Sequence, residues 1–511
     1  MIEYLNFENA TNQFLFEQMQ GYNLTRALIN QELTGVFNTQ TLRDMRDILE
    51  KYQIYFQGSG FQADKGSGDY VPANWHAKKI KMLIDKEARF LFSEPPDITL
   101  TDVTSETSDN ERIQPNQELI SAVLKQNRFS SKLVRAAKDC LIGKRIALVM
   151  NFDTETNKIS VNFVPSLEFV YETDPADVSK ITKFIQFYSI VVNEELSQQR
   201  IYKKKWYLEN DVCRVVEEIY DGNANLIETI MEDTATMFNY IPVAIIINDG
   251  LSGDPFGISD IEALEDTESY YSKLANKDID SLRKGTDQIT YAIDADPRTT
   301  KNLSRAPGAF WDLASDPAKE GGQANVGCLD NPMSYSTALD ATLQRLNSDM
   351  YAQLDVPNTS SEALQGIITS GKTMQAIYWS LMVRCNEKML DWIPAFEFMA
   401  ETILDGCQLY PEICRAYISE PVVSDGYRID VTNSYPILQD ETEEKASDLA
   451  EIASQVRSRK SYLKKWMNMT DADADAELQQ IQLEKQMFEQ DSYTAAMMQA
   501  VQAAGSEPME E

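Results

Sequence analysis

GISDIEALEDTESYYSKLANKDIDSLRK, residues 257–284, decides how the rest of the chain is read. Ile258, Ile261, Leu264, Tyr271, Leu274, Ala275, Ile279 and Leu282 recur at steps of three and four, the period that lines up side chains on one side of an α-helix. Asp260, Glu262, Glu265 and Asp266 come early and Arg283 and Lys284 late, which suits the helix dipole at both ends. A helix of this length would reach ~42 Å. A second pattern opens near Asn331-Pro332, carries Leu339, Leu343, Leu346, Met350 and Leu354, and stops at Pro357. A third runs from Gly371 through Ile377, Leu381, Met389, Leu390, Trp392, Phe396 and Met399 to Gly406, with a kink expected at Pro394. Between the last two, residues 357–371 read PNTSSEALQGIITSG, too polar for a core element and bounded by helix stops. Tyr270 and Ile279 flank the first stripe, so this helix is apolar on more than one side and needs neighbours.

The chain has 511 residues, too many for one compact core, and its 43% hydrophobic content can build several. Its 80 acidic and 47 basic side chains leave a formal net charge of -33. That balance argues against a broad basic surface gripping nucleic acid. It leaves room for a conduit, because a wall past which a phosphate backbone slides should avoid strong cationic contacts. The six cysteines form neither a CxxC pair nor a regular framework and read as reduced thiols. His76 is the single histidine, so neither a multi-histidine metal site nor a catalytic dyad is expected. The first residues, MIEYLNFENA, do not read as a secretory signal, and no apolar run approaches the ~18 residues of a membrane span.

Outward from the three helical patterns, the first ~135 residues read as mostly helical. Leu24–Ile29 and Leu42–Tyr55 are early candidates, and a helix over Trp75–Phe92 follows the Gly-rich GSGFQADKGSGD of residues 58–69. Lys78, Lys79, Lys81 and Lys86 on that helix read as a solvated face or as an attraction for phosphate or an acidic surface. From Lys144 to Asp249 the period shifts to two, with strand runs at 145–150, 159–164, 182–192, 200–208, 212–220 and 225–231, separated by turn signals such as Asp153–Asn157. Lys203-Lys204-Lys205-Trp206-Tyr207 reads either as a base-stacking cluster or as an edge strand guarded by lysines. Short strands are expected at 288–293 and 309–313, another at Tyr427–Thr432, and two helical patterns over 441–489.

Gly366 to Thr373, GIITSGKT, satisfies the phosphate-binding pattern GxxxxGK[ST], and Val243–Ile247 followed by Asn248-Asp249 imitates a strand ending in a magnesium-binding aspartate. The context opposes that reading. Asn358 to Gln365 ahead of the motif is polar rather than a buried strand, and no alternation of strands and helices surrounds it.

Several separate segments resemble the portal proteins of tailed double-stranded-DNA bacteriophages, particularly those of long-tailed phages of Gram-positive bacteria. They are Ile241-Pro242-Val243 with Gly250 and Gly257 before a long helix, Met350-Tyr351 with Val356-Pro357, Ser370-Gly371 with Met374, and Arg457 to Leu463 with Asp471, Ala476-Glu477-Leu478, Ile481 and Glu484. The resemblance implies an α+β chain, mainly α. It divides the chain into a wing over 1–255, a first stem helix over 256–284, a clip over 285–331 and a second stem helix over 332–356. A tunnel loop over 357–370, a long kinked helix returning to the wing over 371–438, a crown over 439–491 and a tail over 492–511 complete it. It implies a homo-oligomeric ring, a dodecamer, at one capsid vertex of the virion, assembled in the host cytoplasm. Viral double-stranded DNA would pass through without sequence preference, with the terminase, the major capsid or scaffold protein and head-completion adaptors as partners. No cofactor, metal, membrane or catalytic residue is implied. Asn358, Thr359, Ser360, Ser361, Glu362, Gln365 and Ser370 would face the DNA. Ile261, Leu264, Tyr271, Leu343, Leu346 and Met350 would pack between subunits. A P-loop ATPase and an acidic helical adaptor or scaffold are the alternatives.

Overall fold

The computed structural model describes residues 35–59, 71–104, 111–174, 176–191, 198, 200–221, 225–251, 254–286, 289–296, 298, 314–315, 323–329, 335–359, 371–435, 441–467, 469–470 and 473–485. In chain order these form α1 (Gly35–Gln57), α2 (Lys79–Leu91), β1 (Asp97–Asp102), α3 (Gln114–Gln126), α4 (Phe129–Gly143), β2 (Arg145–Asp153), β3 (Lys158–Pro165) and β4 (Phe169–Asp174). They continue with β5 (Asp177–Val191), β6 (Arg200–Glu209), β7 (Val212–Tyr220), β8 (Leu226–Ala235), β9 (Val243–Ile247), α5 (Asp260–Thr286), β10 (Ile289–Ile293) and β11 (Asn325–Leu329). The rest are α6 (Ser336–Gln353), α7 (Gly371–Leu409), α8 (Pro411–Cys414), β12 (Tyr427–Thr432), α9 (Glu441–Ala453), α10 (Arg459–Met467) and α11 over 473–485. The fold is α+β. Two compact units divide the chain, residues 1–363 with 378–436, and residues 364–377 with 437–511. The expected helix at 24–29, the expected strand at 309–313 and the tail from 492 lie outside the described residues.

Six strand runs anticipated from period two are present within a few residues of their expected limits. β3, β2 and β9 make one sheet and β4, β5, β6, β7 and β8 another, each in that order, and every strand pair among the described residues is antiparallel. Turn chemistry sets the hairpins. Asp153 accepts from the Glu155 and Thr156 amides at 2.9 and 3.1 Å, closing the β2–β3 turn in which Asn157 takes φ 52°. Asn210 and Asp211 take φ 51° and 58°, the two left-handed residues of a tight hairpin between β6 and β7. Val149, Val164, Phe169, Phe184, Trp206, Val215 and Val243 share one buried cluster. Phe184 lies 5.4 Å from Phe169 and 5.6 Å from Trp206, ring centre to ring centre. Each such side chain contributes roughly 1.5–3 kcal/mol by burial.

The structure departs from two local readings of this region. Lys203, Lys204 and Lys205 sit on β6, which is flanked by β5 and β7 and is no edge. Lys203 is 2% exposed, 3.5 Å from Glu218 and over the Tyr220 ring, while Lys204 meets Glu217 at 2.7 Å and Asn151 at 3.0 Å. Cross-strand pairing neutralises those two cations, which leaves them unavailable for stacked bases. Gly406 does not end its helix either, since α7 runs on to Leu409. A Cβ there would lie 2.1 Å from the Phe152 ring, so glycine is needed for close approach rather than as a stop.

The second unit is organised around Asp448. Its carboxylate pairs with Arg457, accepts from Lys465 Nζ at 3.0 Å and from Trp466 Nε1 at 2.8 Å, and these bonds join α9 to α10.

Candidate functional site

α5 and α6 pack as an antiparallel pair: Gln353, at the end of α6, reaches Thr267 near the start of α5 at 3.4 Å. The excursion between them carries the antiparallel pair β10–β11, in which Ile289 stands opposite Leu329. β10 answers to the strand expected at 288–293, whereas β11 was not expected.

The start of α5 buries its apolar residues, Ile261 and Leu264, completely within the chain, and Met350 of α6 is 1% exposed. Those three therefore have no side-chain area left for a neighbouring copy, contrary to the expectation for them. Their packing is intrachain because α5 lies against α1, α2 and α4 of its own chain. Tyr271, Leu343 and Leu346 are half-buried.

Further along α5 the buried line is polar. Glu268 and Ser272 are fully buried and Asn276 is 4% exposed, while Leu274, Ala275 and Ile279 of the apolar stripe remain half-open. The polar line holds the extended segment 71–78 against the helix. Asp280 Oδ1 accepts from the Ala73 amide at 2.9 Å, and Asn276 both accepts from the Trp75 amide and donates to the Trp75 carbonyl at 2.7 Å. Ser272 Oγ accepts from the Ala77 amide at 3.3 Å, and the two oxygens of Glu268 accept from Ile80 and Ser59 at 3.0 and 2.9 Å. The register fits: four helical residues advance about 6 Å and two extended residues about 6.6 Å, so every second amide meets every fourth side chain.

At the base of α5 lies a buried ion cluster that sequence reasoning missed. Asp260 Oδ2 is 2.9 Å from Lys388 Nζ and 3.1 Å from Arg384, both on α7, and Arg384 donates to Glu87 of α2 at 2.8 Å. Asn248, just beyond β9, donates to Asp260 at 2.9 Å and accepts from Lys388 at 2.8 Å. Burial, reinforced by Asp260, pushes the Glu87 carboxyl up to about 7, although Lys388 and Arg384 pull it down. Burial also works against ionisation of Asp260, but Lys388 and Arg384 outweigh it and hold that carboxyl below its ordinary range. Beside the cluster, Lys144 at the end of α4 meets Asp47 at 2.6 Å, and Arg145 meets Asp44 at 2.6 Å. Gly257 takes φ 73° where a Cβ would sit 2.6 Å from the Lys144 carbonyl, so only glycine lets the chain turn into α5. Arg384 and Lys388 at i and i+4 were the one visible signal, two cations on one side of a helix.

Of the expected tunnel-loop residues, Asn358 and Thr359 are described and half-buried; Ser360, Ser361, Glu362, Gln365 and Ser370 lie outside the described residues. Lys86 Nζ donates to Thr359 at 3.4 Å and stands 5.2 Å over the Tyr351 ring. Lys81 lies 4.0 Å over the Tyr55 ring and Lys79 5.8 Å over Tyr271, so these three amines have ring partners inside the chain. Burial, with Lys79 second, lowers the Lys86 pKa.

In GIITSGKT, Gly371 opens α7, and residues 366–370 lie outside the described residues. β9, the strand that imitated a magnesium site, pairs antiparallel with β2, and Asn248 at its end is committed to the ion cluster. A nucleotide-binding P-loop rests on a parallel sheet, and among the described residues no parallel pair occurs. Among the described residues no acid, histidine and cysteine group of metal-binding size occurs, and no helix is long and apolar enough to cross a membrane. Tyr270 and Leu282 of α5 are 63% and 46% exposed, and Trp379, Val383 and Leu390 of α7 are 65%, 49% and 71% exposed, the last three within one helical face.

Residues 38–491 match the family described as phage portal protein, SPP1 Gp6-like. No curated protein matches the chain.

Proposed function

Since the chain belongs to the phage portal protein family, SPP1 Gp6-like, we propose that its copies assemble into a ring whose channel passes viral double-stranded DNA into the capsid during packaging and out during ejection. The family is structural rather than enzymatic and stands at a capsid vertex of the virion. In the proposed ring, expected to hold twelve copies, α5 and α6 form the stem. The excursion over 285–331 is the clip on which the terminase motor and head-completion adaptors dock. Residues 357–370 face the DNA, and the wing meets the major capsid or scaffold protein. Terminase supplies the chemistry of translocation, so no catalytic residue or cofactor is assigned to this chain.

The observation that carries the reading is the amphipathic inversion of α5. A helix that spends its polar line on its own chain, leaving Tyr270 and Leu282 exposed and Ile279 half-open, presents apolar area to a neighbour. The exposed Trp379, Val383 and Leu390 of α7 add a second such surface. Their burial in a ring would recover ~25 cal/mol for each Å² removed from water. Negative-stain imaging of the purified protein tests the proposal. Axial views with a central hole are expected, and a monodisperse monomer at micromolar concentration would overturn it.

A further inference from the structure

β8 is an open edge. Only β7 pairs with it among the described residues, and all ten of its residues are exposed. The outer N–H and C=O groups of such a strand are a template for another chain, which edge strands ordinarily deny by being short, covered, or guarded with lysine or proline. β8 is LIETIMEDTA: it has neither lysine nor proline, and Leu226, Ile227, Ile230 and Met231 are 52%, 44%, 51% and 38% exposed.

Its charge selects the occupant. Glu228, Glu232 and Asp233 are its charged residues, all acidic. Arg214 of β7 takes Asp233 at 2.9 Å, whereas among the described residues no ion pair engages Glu228 or Glu232. The acids of β7, Glu217 and Glu218, pair inward with Lys204 and Lys203 of β6 and bring no cation to the free edge. A second copy adding through the same strand would set acid against acid, which cross-strand pairs disfavour.

We propose that β8 is a docking edge for an extended basic segment of a second protein. That segment adds as a sixth strand, its backbone bonded to β8, with aliphatic side chains over the exposed isoleucines and leucine and a lysine or arginine beside Glu228 and Glu232. The edge geometry and its charge carry this independently of any ring or channel.

The test uses the intact chain with two synthetic decapeptides, one alternating lysine with valine and the other glutamate with valine. Binding is read by fluorescence anisotropy, and pairing by hydrogen exchange of amides 226–235. The lysine peptide is expected to bind and to slow exchange across β8. The double variant Glu228→Lys and Glu232→Lys, two exposed changes outside the core, should bind it about tenfold more weakly and should bind the glutamate peptide better than wild type does. Three results would each overturn the proposal. One is binding without protection of the β8 amides, and another is equal binding of both peptides by wild type and variant. The third is no peptide binding together with self-association that Ile230→Pro abolishes, which would make β8 a contact between copies.

Discussion

Replacing Lys388 with methionine, an unbranched side chain one heavy atom shorter, removes one of the two cations that face Glu87 and Asp260. Lys388 is 7% exposed and its amine lies 2.9 Å from Asp260 and 3.7 Å from Glu87. Breaking such a buried pair from one side costs about 3–5 kcal/mol, because the remaining charge stays buried. The cluster has a partial escape. With Arg384 alone left, Glu87 can stay protonated and the Asp260–Arg384 pair remains neutral. Glu87 already sits at about 7, above its ordinary 4.5, so the folded state holds a proton that the unfolded state releases. The stability contributed by that proton is fully present below the unfolded value and is lost as pH rises through the folded one. Losing Lys388 removes a group that pulls Glu87 down, so its carboxyl rises further, and each pH unit in the window then changes stability by about 1.4 kcal/mol. Wild-type Glu87 itself gives up about 1.4 kcal/mol between pH 6 and 8, so Lys388→Met should lower the stability read from urea unfolding strongly at pH 8 and by about 1 kcal/mol less at pH 6. Hydrogen exchange over residues 79–91 and 378–409 locates the opening. A variant with the wild-type midpoint at pH 8, or one with the same deficit at both pH values, would refute the reasoning.

Asn276→Ala unbinds both the amide and the carbonyl of Trp75 and should cost about 1–3 kcal/mol, seen as faster proteolysis and exchange across residues 71–78. Leu343→Asp with Leu346→Asp places two charges on a half-buried helix face; sedimentation should show loss of rings while the strand signal in circular dichroism persists. Lys372→Ala should leave assembly intact, and the wild type should show no magnesium-dependent ATP hydrolysis; hydrolysis that this variant abolishes would reinstate the P-loop reading. Ser360→Arg with Ser361→Arg should allow ring assembly but slow the filling of empty capsids, with partial relief as salt rises, because each added phosphate contact brings a counterion-release term. Filling at the wild-type rate in low salt would move the channel lining elsewhere.

What was legible in the sequence was local. β2, β3, β6 and β7 were readable because alternation and turn chemistry both lie within about ten residues, and the α5 and α6 patterns because a helix repeats over its own length. β1 was missed for the opposite reason. β1 is short and exposed at alternate positions, and it pairs with β12, so that Asp97 faces Thr432. A reading of charge also assumes that charge lies in water. Lys203 broke the assumption because its partner Glu218 sits on the next strand, and Glu87 broke it because Arg384 and Asp260 arrive from distant parts of the chain.

The deeper limit shows on α5. Hydrophobic period identifies which side of a helix is apolar, and in a monomer that side is also the one its own chain buries. On α5 the two sides differ beyond Leu264, since Glu268, Ser272 and Asn276 are sealed while Leu274, Ala275 and Ile279 stay half-open. Burying the polar line costs little because every acceptor on it receives a backbone amide from residues 59–80, each of which would otherwise need water. Leaving the apolar stripe half-open costs more, roughly 25 cal/mol for each exposed Å², unless another surface covers it. The same sequence pattern would serve a solitary helix hairpin or a ring subunit. What separates the two is the extended segment 71–78, which takes the place on α5 that a core would otherwise fill and turns the stripe outward.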